Sequence, residues 1–370
     1  MIKQLQGLRG IMCLSVILNH WSIIFYSNLY LPKAGSSDVA SAIGNSPLNV
    51  FFDGNLAVIV FFTLSGFLLA RSVWKKSAFN LIDVITKRYI RLFPCVFVSI
   101  MIMFLLMSGN LLQHSRIVPL IESDYVLEYN MFQPKLYKAI YEGLIGTFIH
   151  GSQYNSPLWT IHWEIFAGGG IAVLVYFAKR KKWLWRACVY FAAIVLSWLL
   201  DISYFICFVL GAVIADLQQN EKKIASWIRG GGSVATIAAL YLVSVPTNST
   251  SSILYGIFNY IRIPIGYVHM MGAALLIYVL LHEGFLAKLL SASFLVKLGN
   301  ISYSVYTVHW IVILSLGCGV FRLTMQTGNY DFSALLTAVI SVVASVFLGW
   351  IFNRYVENFL KGLKKKQKDD

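Results

Sequence analysis

Arg9 and His20 are the two residues of this chain whose types and spacing most directly suggest chemistry. They lie eleven positions apart in the first apolar stretch, LRGIMCLSVILNHW. Eleven residues of α-helix return to within about 20° of the starting direction, so both side chains share one face, about 16 Å apart along the axis. Ionisable groups inside an apolar membrane helix are costly and usually face the protein interior, so the spacing predicts a functional site there.

Arg88 and Arg91 form a second candidate site in the segment KRYIRLFP. Because they are three positions apart, they are neighbours on one helix face. Guanidinium groups clustered where a chain enters the membrane bind phosphates through paired hydrogen bonds, or anchor the protein to anionic lipids. Pro94 is expected in the first turn of the following span, where its missing amide costs no helical hydrogen bond.

Glu164 is the third candidate and lies in the segment SPLWTIHWEIFAGGG. It shares a helix face with Thr160, whereas His162 points about 200° away and cannot line the same cavity. Glu164 and His20 each lie about 10 Å below the outer boundary of their spans, a common depth at which they would meet. A buried carboxylate beside an imidazole orients a general base, which makes Glu164 and His20 the predicted catalytic pair. The alternative is that Glu164 pairs with a basic residue on another helix.

His309 belongs to the segment GNISYSVYTVHW, where it shares a helix face with Ser302 and Tyr306. That face lies nearer the cytoplasmic end, which favours hydrogen bonding or contact with a donor substrate over catalysis. In another apolar run, FFTLSGFLLA, Ser65 and Gly66 are predicted to allow close helix packing, and a serine nucleophile is the weaker interpretation.

The composition indicates that these residues lie in membrane-spanning helices. The chain has 58% hydrophobic and 12% charged residues and a mean hydropathy of +0.69, far too apolar for a soluble protein. Windows of about 20 apolar residues predict an all-α, polytopic membrane helix bundle with ten spans. These spans are 8–27, 51–73, 92–112, 158–178, 184–200, 203–217, 232–247, 267–283, 303–322 and 333–355.

The basic residues predict the orientation of the bundle. With the N-terminus in the cytoplasm, the outer side holds only these of the 30 lysine and arginine residues: Lys33, Arg116, Lys135, Lys138, Arg262 and Arg322. The positive-inside rule then predicts that both termini are cytoplasmic. Since topology explains the net charge of +14, we expect a lipid bilayer and no nucleic acid as partner.

We expect residues 1–370 to form a single integral membrane domain, because no repeat of fixed period is present. The longest stretch between spans, about 113–157, mixes acidic and aromatic residues. It is predicted to be either a lid or polar acceptor surface, or an interfacial amphipathic segment. The cysteines lie in apolar stretches without metal-ligand spacing, so neither a metal site nor a disulfide framework is expected.

Six segments resemble, in order, the signature segments of the acyltransferase 3 family of integral membrane O-acyltransferases. They are GLRGIMCLSVILNHW, FFTLSGFLLAR, KRYIRLFP, LWTIHWE, GNISYSVYTVHW and RYVENFL, and they span residues 7–360. The motif residues of the family fall on Arg9 and His20, on Arg88 and Arg91, and on Trp159 and Glu164. Ile59 is a departure, because many members carry an acidic residue there, and no role of that acid transfers to this chain.

The resemblance implies transfer of an acyl group, usually acetyl from acetyl-coenzyme A (acetyl-CoA), to a hydroxyl of an extracytoplasmic glycan such as O-antigen, capsule or exopolysaccharide. The protein would be a multi-pass protein of the bacterial inner membrane without the fused periplasmic hydrolase-like domain of some members. The donor-binding residues would be Arg9, Arg88, Arg91 and His309. His20, with Glu164, would act as a general base or carry the acyl group covalently.

Two other functions remain open at the level of the sequence. The acceptor could be a small intracellular metabolite, which keeps the chemistry and changes the side of the membrane. Alternatively, Arg9, His20 and Glu164 could form the proton relay of a transporter, although no inverted repeat is visible.

Overall fold

The computed structural model describes residues 2–30, 38–76, 79–121, 123–219, 232–247, 254–261, 263–282 and 284–358. Within these ranges the chain is helical and contains no strand. Ten apolar helices form the bundle: α1 (Lys3–Phe25), α2 (Gly54–Trp74), α3 (Leu81–Ser108), α4 (Thr160–Ala178), α5 (Trp183–Leu199), α6 (Tyr204–Gln219), α7 (Gly232–Val243), α8 (Ile265–Leu280), α9 (Ser293–Val312) and α10 (Tyr330–Phe352).

Short helical segments connect and extend these helices. The α-helical ones are Val39–Gly44, His114–Ile117, Leu136–Tyr141, Thr147–His150, Gly256–Ile261, Phe285–Leu290 and Cys318–Thr324. The 3-10 turns are Ser27–Leu29, Pro47–Phe51, Val118–Leu120, Asp124–Glu128, Ser156–Trp159 and Met325–Thr327. The π-helical turns are Glu142–Gly146, Ile313–Gly317 and Asn353–Glu357, and the last two directly continue α9 and α10.

The predicted all-α membrane bundle is confirmed, and each predicted span overlaps one apolar helix. Among the described residues, six helices are long and apolar enough to cross a membrane: Lys3–Phe25, Gly54–Trp74, Leu81–Ser108, Ser156–Ala178, Ser293–Thr327 and Tyr330–Glu357. That all ten helices cross, with both termini cytoplasmic, stays a prediction. Some residues of the charge count lie outside the described ranges, namely Lys33, Arg262, the basic residues at 222–229 and those after 358.

Two helices begin well before the predicted spans, α3 at Leu81 and α9 at Ser293. The Asn80 side chain accepts a hydrogen bond from the amide of Asp83 and so caps α3. Hydropathy windows miss such a start because the first turns of α3 are charged. As a result Pro94 lies inside α3 and not in its first turn as predicted, and it removes one helical hydrogen bond there.

Small residues bring the helices around the site into backbone contact. On α1, a Cβ added to Gly10 would lie 2.6 Å from the carbonyl oxygen of Leu295 on α9. On α2, a Cβ added to Gly66 would lie 2.6 Å from the Cα of Phe208 on α6. Glycine at these positions lets the backbones approach closely, as it does in many membrane helix pairs. The packing role predicted for Gly66 is confirmed.

The segment between α3 and α4 is held against the bundle by buried polar groups. The Asn155 amide donates to the Ser99 hydroxyl on α3 at 3.2 Å and to the Thr307 carbonyl on α9 at 2.8 Å. The buried Glu142 carboxylate accepts a hydrogen bond from the Ser152 hydroxyl at 2.6 Å. The segment is therefore a fixed part of the fold, and it shares a hydrophobic core with the C-terminal half of α1.

Candidate functional site

Residues from separate helices surround one cavity of about 560 Å³. Arg9 comes from α1, Ser65 from α2, Arg88 and Arg91 from α3, and Glu164 from α4. Residues of α9 and Glu357 from the turn after α10 also line the cavity. A volume of this size is typical of small-molecule sites. Four of the six predicted site residues therefore line a single cavity, and the two histidines do not.

Arg88 is paired with Glu164 inside this cavity. Its Nη1 lies 2.6 Å from Glu164 Oε2 and 2.7 Å from the Glu164 carbonyl oxygen. The Ser65 hydroxyl donates to the same carboxylate oxygen at 2.8 Å and accepts from Arg88 Nη2 at 3.2 Å. The Arg88 and Glu164 side chains are only 11% and 16% exposed. Gly168 leaves room for this arrangement, because a Cβ there would lie 2.8 Å from the guanidinium carbon.

The expected pairing of Glu164 with His20 is not what the structure shows. The Glu164 carboxylate bonds to Arg88 and Ser65, which is the alternative in which it pairs with a basic residue on another helix. Thr160 and Glu164 do line one cavity, whereas His162 does not, as their spacing predicts. Sequence spacing gives the depth of a residue in the bundle, but it does not give the helix that its side chain faces.

The cavity lining is strongly cationic. Its basic residues are Arg9, Lys76, Lys87, Arg88 and Arg91, and its acidic residues are Glu164 and Glu357. Glu164 is neutralised by Arg88. Within the described part of the chain, neither Arg9 nor Arg91 forms a salt bridge. Their guanidinium groups are therefore the ones best placed to bind an anionic ligand.

His20 and His309 form a hydrogen-bonded pair between α1 and α9. His20 Nδ1 lies 3.3 Å from His309 Nε2 and 2.9 Å from the Val16 carbonyl oxygen. His309 Nδ1 lies 2.6 Å from the Tyr306 carbonyl oxygen. His309 is fully buried, whereas His20 keeps part of its surface exposed.

With both imidazoles neutral, these contacts assign the protons, because carbonyl oxygens only accept hydrogen bonds. His309 Nδ1–H donates to the Tyr306 carbonyl, so His309 Nε2 is an acceptor. His20 Nδ1–H is then shared between the Val16 carbonyl and His309 Nε2. The remaining nitrogen, His20 Nε2, carries a lone pair, which is the state that a general base requires.

Tyr306 separates the cationic cavity from the histidine pair. Its side chain lines the cavity, and its hydroxyl lies 2.8 Å from the Thr160 hydroxyl and also donates to the Pro157 carbonyl. Its own carbonyl holds His309 on the other side. For His309 the sequence predicts hydrogen bonding or contact with a donor substrate; it does not line the cavity, and it hydrogen-bonds to His20. The shared helix face predicted for Ser302, Tyr306 and His309 therefore joins the cavity to the histidine pair.

Three residues of the site were missed or misjudged at the level of the sequence. Ser65 was predicted to serve helix packing, yet its hydroxyl bonds to Glu164. Lys76 lines the cavity just beyond the end of α2, where its charge was counted only as topology. The Trp310 ring lies 5.1 Å from that of His20. Two signals in the sequence could have indicated these roles: Ser65 is a polar residue in an apolar run, and Lys76 is a basic residue at a helix end.

Comparison with known proteins decides the family. A family model described as an acyltransferase domain matches residues 2–354. The chain belongs to this acyltransferase family. No curated protein and no solved structure shows significant similarity to it.

Membership of the acyltransferase family confirms the resemblance seen in the six sequence segments. Combined with the apolar helix bundle, it identifies the chain as a multi-pass membrane acyltransferase. The match covers both the cationic cavity, built from residues of α1–α4 and α9, and the histidine pair.

Proposed function

We propose that this acyltransferase moves an acetyl group from acetyl-CoA to a hydroxyl of an extracytoplasmic glycan, with His20 as the general base. The observation that carries the proposal is the arrangement of the two sites. Tyr306 lines the cationic cavity, and its carbonyl oxygen contacts His309 of the histidine pair, in which the neutral tautomers leave a lone pair on His20 Nε2.

The cavity suits the donor by charge and by position. Acetyl-CoA carries phosphates at one end and the thioester at the other, joined by the extended pantetheine arm. Arg9 and Arg91 would hold the phosphates, because Lys76 and Lys87, the other two lining cations besides Arg88, both face Asp83. The arm would then run along α1, where about 16 Å separates Arg9 from His20. Tyr306 lines the cavity and His20 does not, so we expect the Tyr306 side chain to rotate before the thioester reaches His20.

Acetyl transfer then needs two proton transfers, one from the acceptor hydroxyl to His20 and one from His20 to the leaving sulfur. The acceptor hydroxyl oxygen attacks the thioester carbonyl carbon while His20 Nε2 takes the hydroxyl proton. The carbon–sulfur bond breaks, and the imidazolium returns that proton to the leaving sulfur. The products are the acetyl ester and the CoA thiol, and no net proton is released. His309 is a positioning residue in this scheme, because its contact keeps the His20 proton on Nδ1.

The distribution of charge in the bundle indicates from which side of the membrane the acceptor enters. The basic lining of the cavity belongs to the end of the bundle that the positive-inside rule assigns to the cytoplasm. His20 lies towards the other end of α1. A donor from the cytoplasm would therefore meet an acceptor from the outside of a bacterial inner membrane, without either substrate crossing the bilayer.

Thiol release from acetyl-CoA tests the proposal on the purified protein in lipid nanodiscs. We expect saturable release of CoA, and we expect Arg91→Gln to raise KM for acetyl-CoA about tenfold, because it removes a charge-assisted contact with phosphate. Arg71→Gln is the matched control, since Arg71 is basic but does not line the cavity. Absence of thiol release, together with proton-driven solute uptake in liposomes, would instead establish a transporter.

A further inference from the structure

A second concave surface lies at the opposite end of the bundle from the arginine cavity. It is a groove of about 690 Å³ formed by the segment between α3 and α4, with Tyr129, Phe132, Gln133, Lys135 and Lys138 among its lining residues. Another of them, Asn130, contacts Met107 at the far end of α3. Met107 is nineteen residues from Arg88, so the two concave surfaces lie about 28 Å apart along this helix.

Asn130 fixes the wall of this groove to the rest of the protein. Its side chain is only 8% exposed. The Nδ2 group donates to the Tyr154 carbonyl at 2.8 Å and contacts the Met107 sulfur at 3.5 Å, which fixes the orientation of the amide. Within the described residues, the Oδ1 atom is buried without a hydrogen-bond partner. Because this oxygen has almost no accessible surface, a ligand in the groove cannot reach it, and Asn130 shapes the groove wall through its Nδ2 contacts.

The other groove residues supply the chemistry that recognises a charged sugar. Tyr129 and Phe132 offer aromatic rings, and Gln133 offers an exposed amide. Lys135 and Lys138 are two of only six basic residues that the topology assigns to the outer side, and both line this groove together with one acid, Glu128. A surplus of positive charge on a side that is otherwise poor in it favours an anionic ligand.

Contacts between aromatic rings join the groove to the histidine pair. The Tyr129 ring lies edge-on to the Trp310 ring at 5.5 Å, and the Trp310 ring lies 5.1 Å from the His20 ring. Tyr129 lines the groove, so only one aromatic ring separates the groove wall from the proposed base. The histidine pair therefore lies between the two concave surfaces.

We infer that this groove binds a sugar unit that carries a carboxylate, as part of the glycan acceptor. The inference rests on the proposed function, which supplies the reason for an acceptor. The exposed Gln133 amide hydrogen-bonds the ring hydroxyls, the aromatic rings contact the sugar face, and the two lysines contact the carboxylate.

Saturation-transfer NMR on the protein in phosphatidylcholine nanodiscs tests this inference with two probes, methyl glucuronide and methyl glucoside, which differ in the carboxylate. We expect the glucuronide to bind more tightly than the glucoside. Lys135→Gln combined with Lys138→Gln should weaken glucuronide binding about fivefold, as expected for two exposed charge contacts. Phe132→Ala should weaken binding of both probes about fivefold, because it removes an aromatic contact.

Matched variants outside the groove provide the controls. Arg116→Gln removes another exposed cation of the same segment, and Tyr137→Ala removes an exposed aromatic side chain, so both should bind the glucuronide like the wild type. Asn130→Ala is avoided, because Asn130 anchors the Tyr154 backbone. Equal binding of the two probes, no binding of either, or equal loss in the control variants would overturn the inference.

Two further outcomes separate this inference from its alternatives. If phosphatidylglycerol in the nanodiscs abolishes glucuronide binding, the groove belongs to lipid headgroups and the inference is wrong. The binding measurement involves no acyl-CoA. A protein that binds the glucuronide but never releases CoA would therefore refute the proposed function alone, whereas one that releases CoA but does not bind the sugar would refute the groove assignment alone.

Discussion

Replacing Arg88 by methionine is expected to destabilise the protein strongly, because it leaves the Glu164 carboxylate buried without its cation. The pair is 11% and 16% exposed, and the guanidinium makes hydrogen bonds to the Glu164 carboxylate, to its carbonyl and to Ser65. Removing one partner of a buried, hydrogen-bonded ion pair costs about 3–5 kcal/mol of the free energy of unfolding. The control Arg91→Met changes an exposed cation without a salt bridge to any described residue, and should stay within about 0.5 kcal/mol of the wild type.

The double variant Arg88→Met/Glu164→Leu separates a charge effect from a packing effect. Replacing both charges by apolar side chains removes the unpaired carboxylate, so we expect this variant to be at least about 2 kcal/mol more stable than Arg88→Met. Equilibrium unfolding in mixed detergent micelles containing dodecyl sulfate, followed by tryptophan fluorescence, measures these differences. If Arg88→Met is as stable as Arg91→Met, or if the double variant shows strictly additive losses, the assignment of Arg88 to Glu164 is refuted.

The histidine pair and the membrane topology give three more expectations. His309→Ala should lower kcat about 10²-fold with little change in KM for acetyl-CoA, because His309 fixes the His20 tautomer without lining the cavity; a pure KM effect would contradict this. Single cysteines at positions 113–155 should react with an impermeant maleimide only from outside, and labelling from inside would overturn the topology. In sealed vesicles, acetyl-CoA should support transfer only when it is added on the cytoplasmic face. Equal transfer with acetyl-CoA on the outer face would show that the donor does not enter through the cavity lined by Arg9 and Arg91.

The bundle could be predicted from the sequence because hydropathy directly reports which segments are apolar. The ten stretches and ten helices agree, and the exceptions have a common cause. At the starts of α3 and α9 the chain is already helical but still polar, so a hydropathy window detects the helix late. Pro94 was misplaced for the same reason.

The site could be predicted only in part, because helical spacing defines faces and depths but not partners. Arg9, Arg88 and Arg91 do meet at one cavity, as their common depth suggests. Which helix faces which depends on backbone contacts such as those at Gly10 and Gly66, and these decide that Glu164 faces Arg88 and that His309 faces His20. The groove between α3 and α4 combines residues of short helical segments and of the loops between them, so no single periodicity in the sequence indicates its shape.

Acetyl transfer by a His20→Ala variant tests the central claim most directly. Wild type, His20→Ala and the control His162→Ala, whose imidazole lies outside the cavity, are reconstituted with radiolabelled acetyl-CoA and cell-envelope glycan. Because His20 supplies the base, its loss should reduce labelling of the glycan about 10²- to 10⁴-fold, while folded protein and labelling by His162→Ala stay at the wild-type level. Labelling by folded His20→Ala at the wild-type rate would contradict the account.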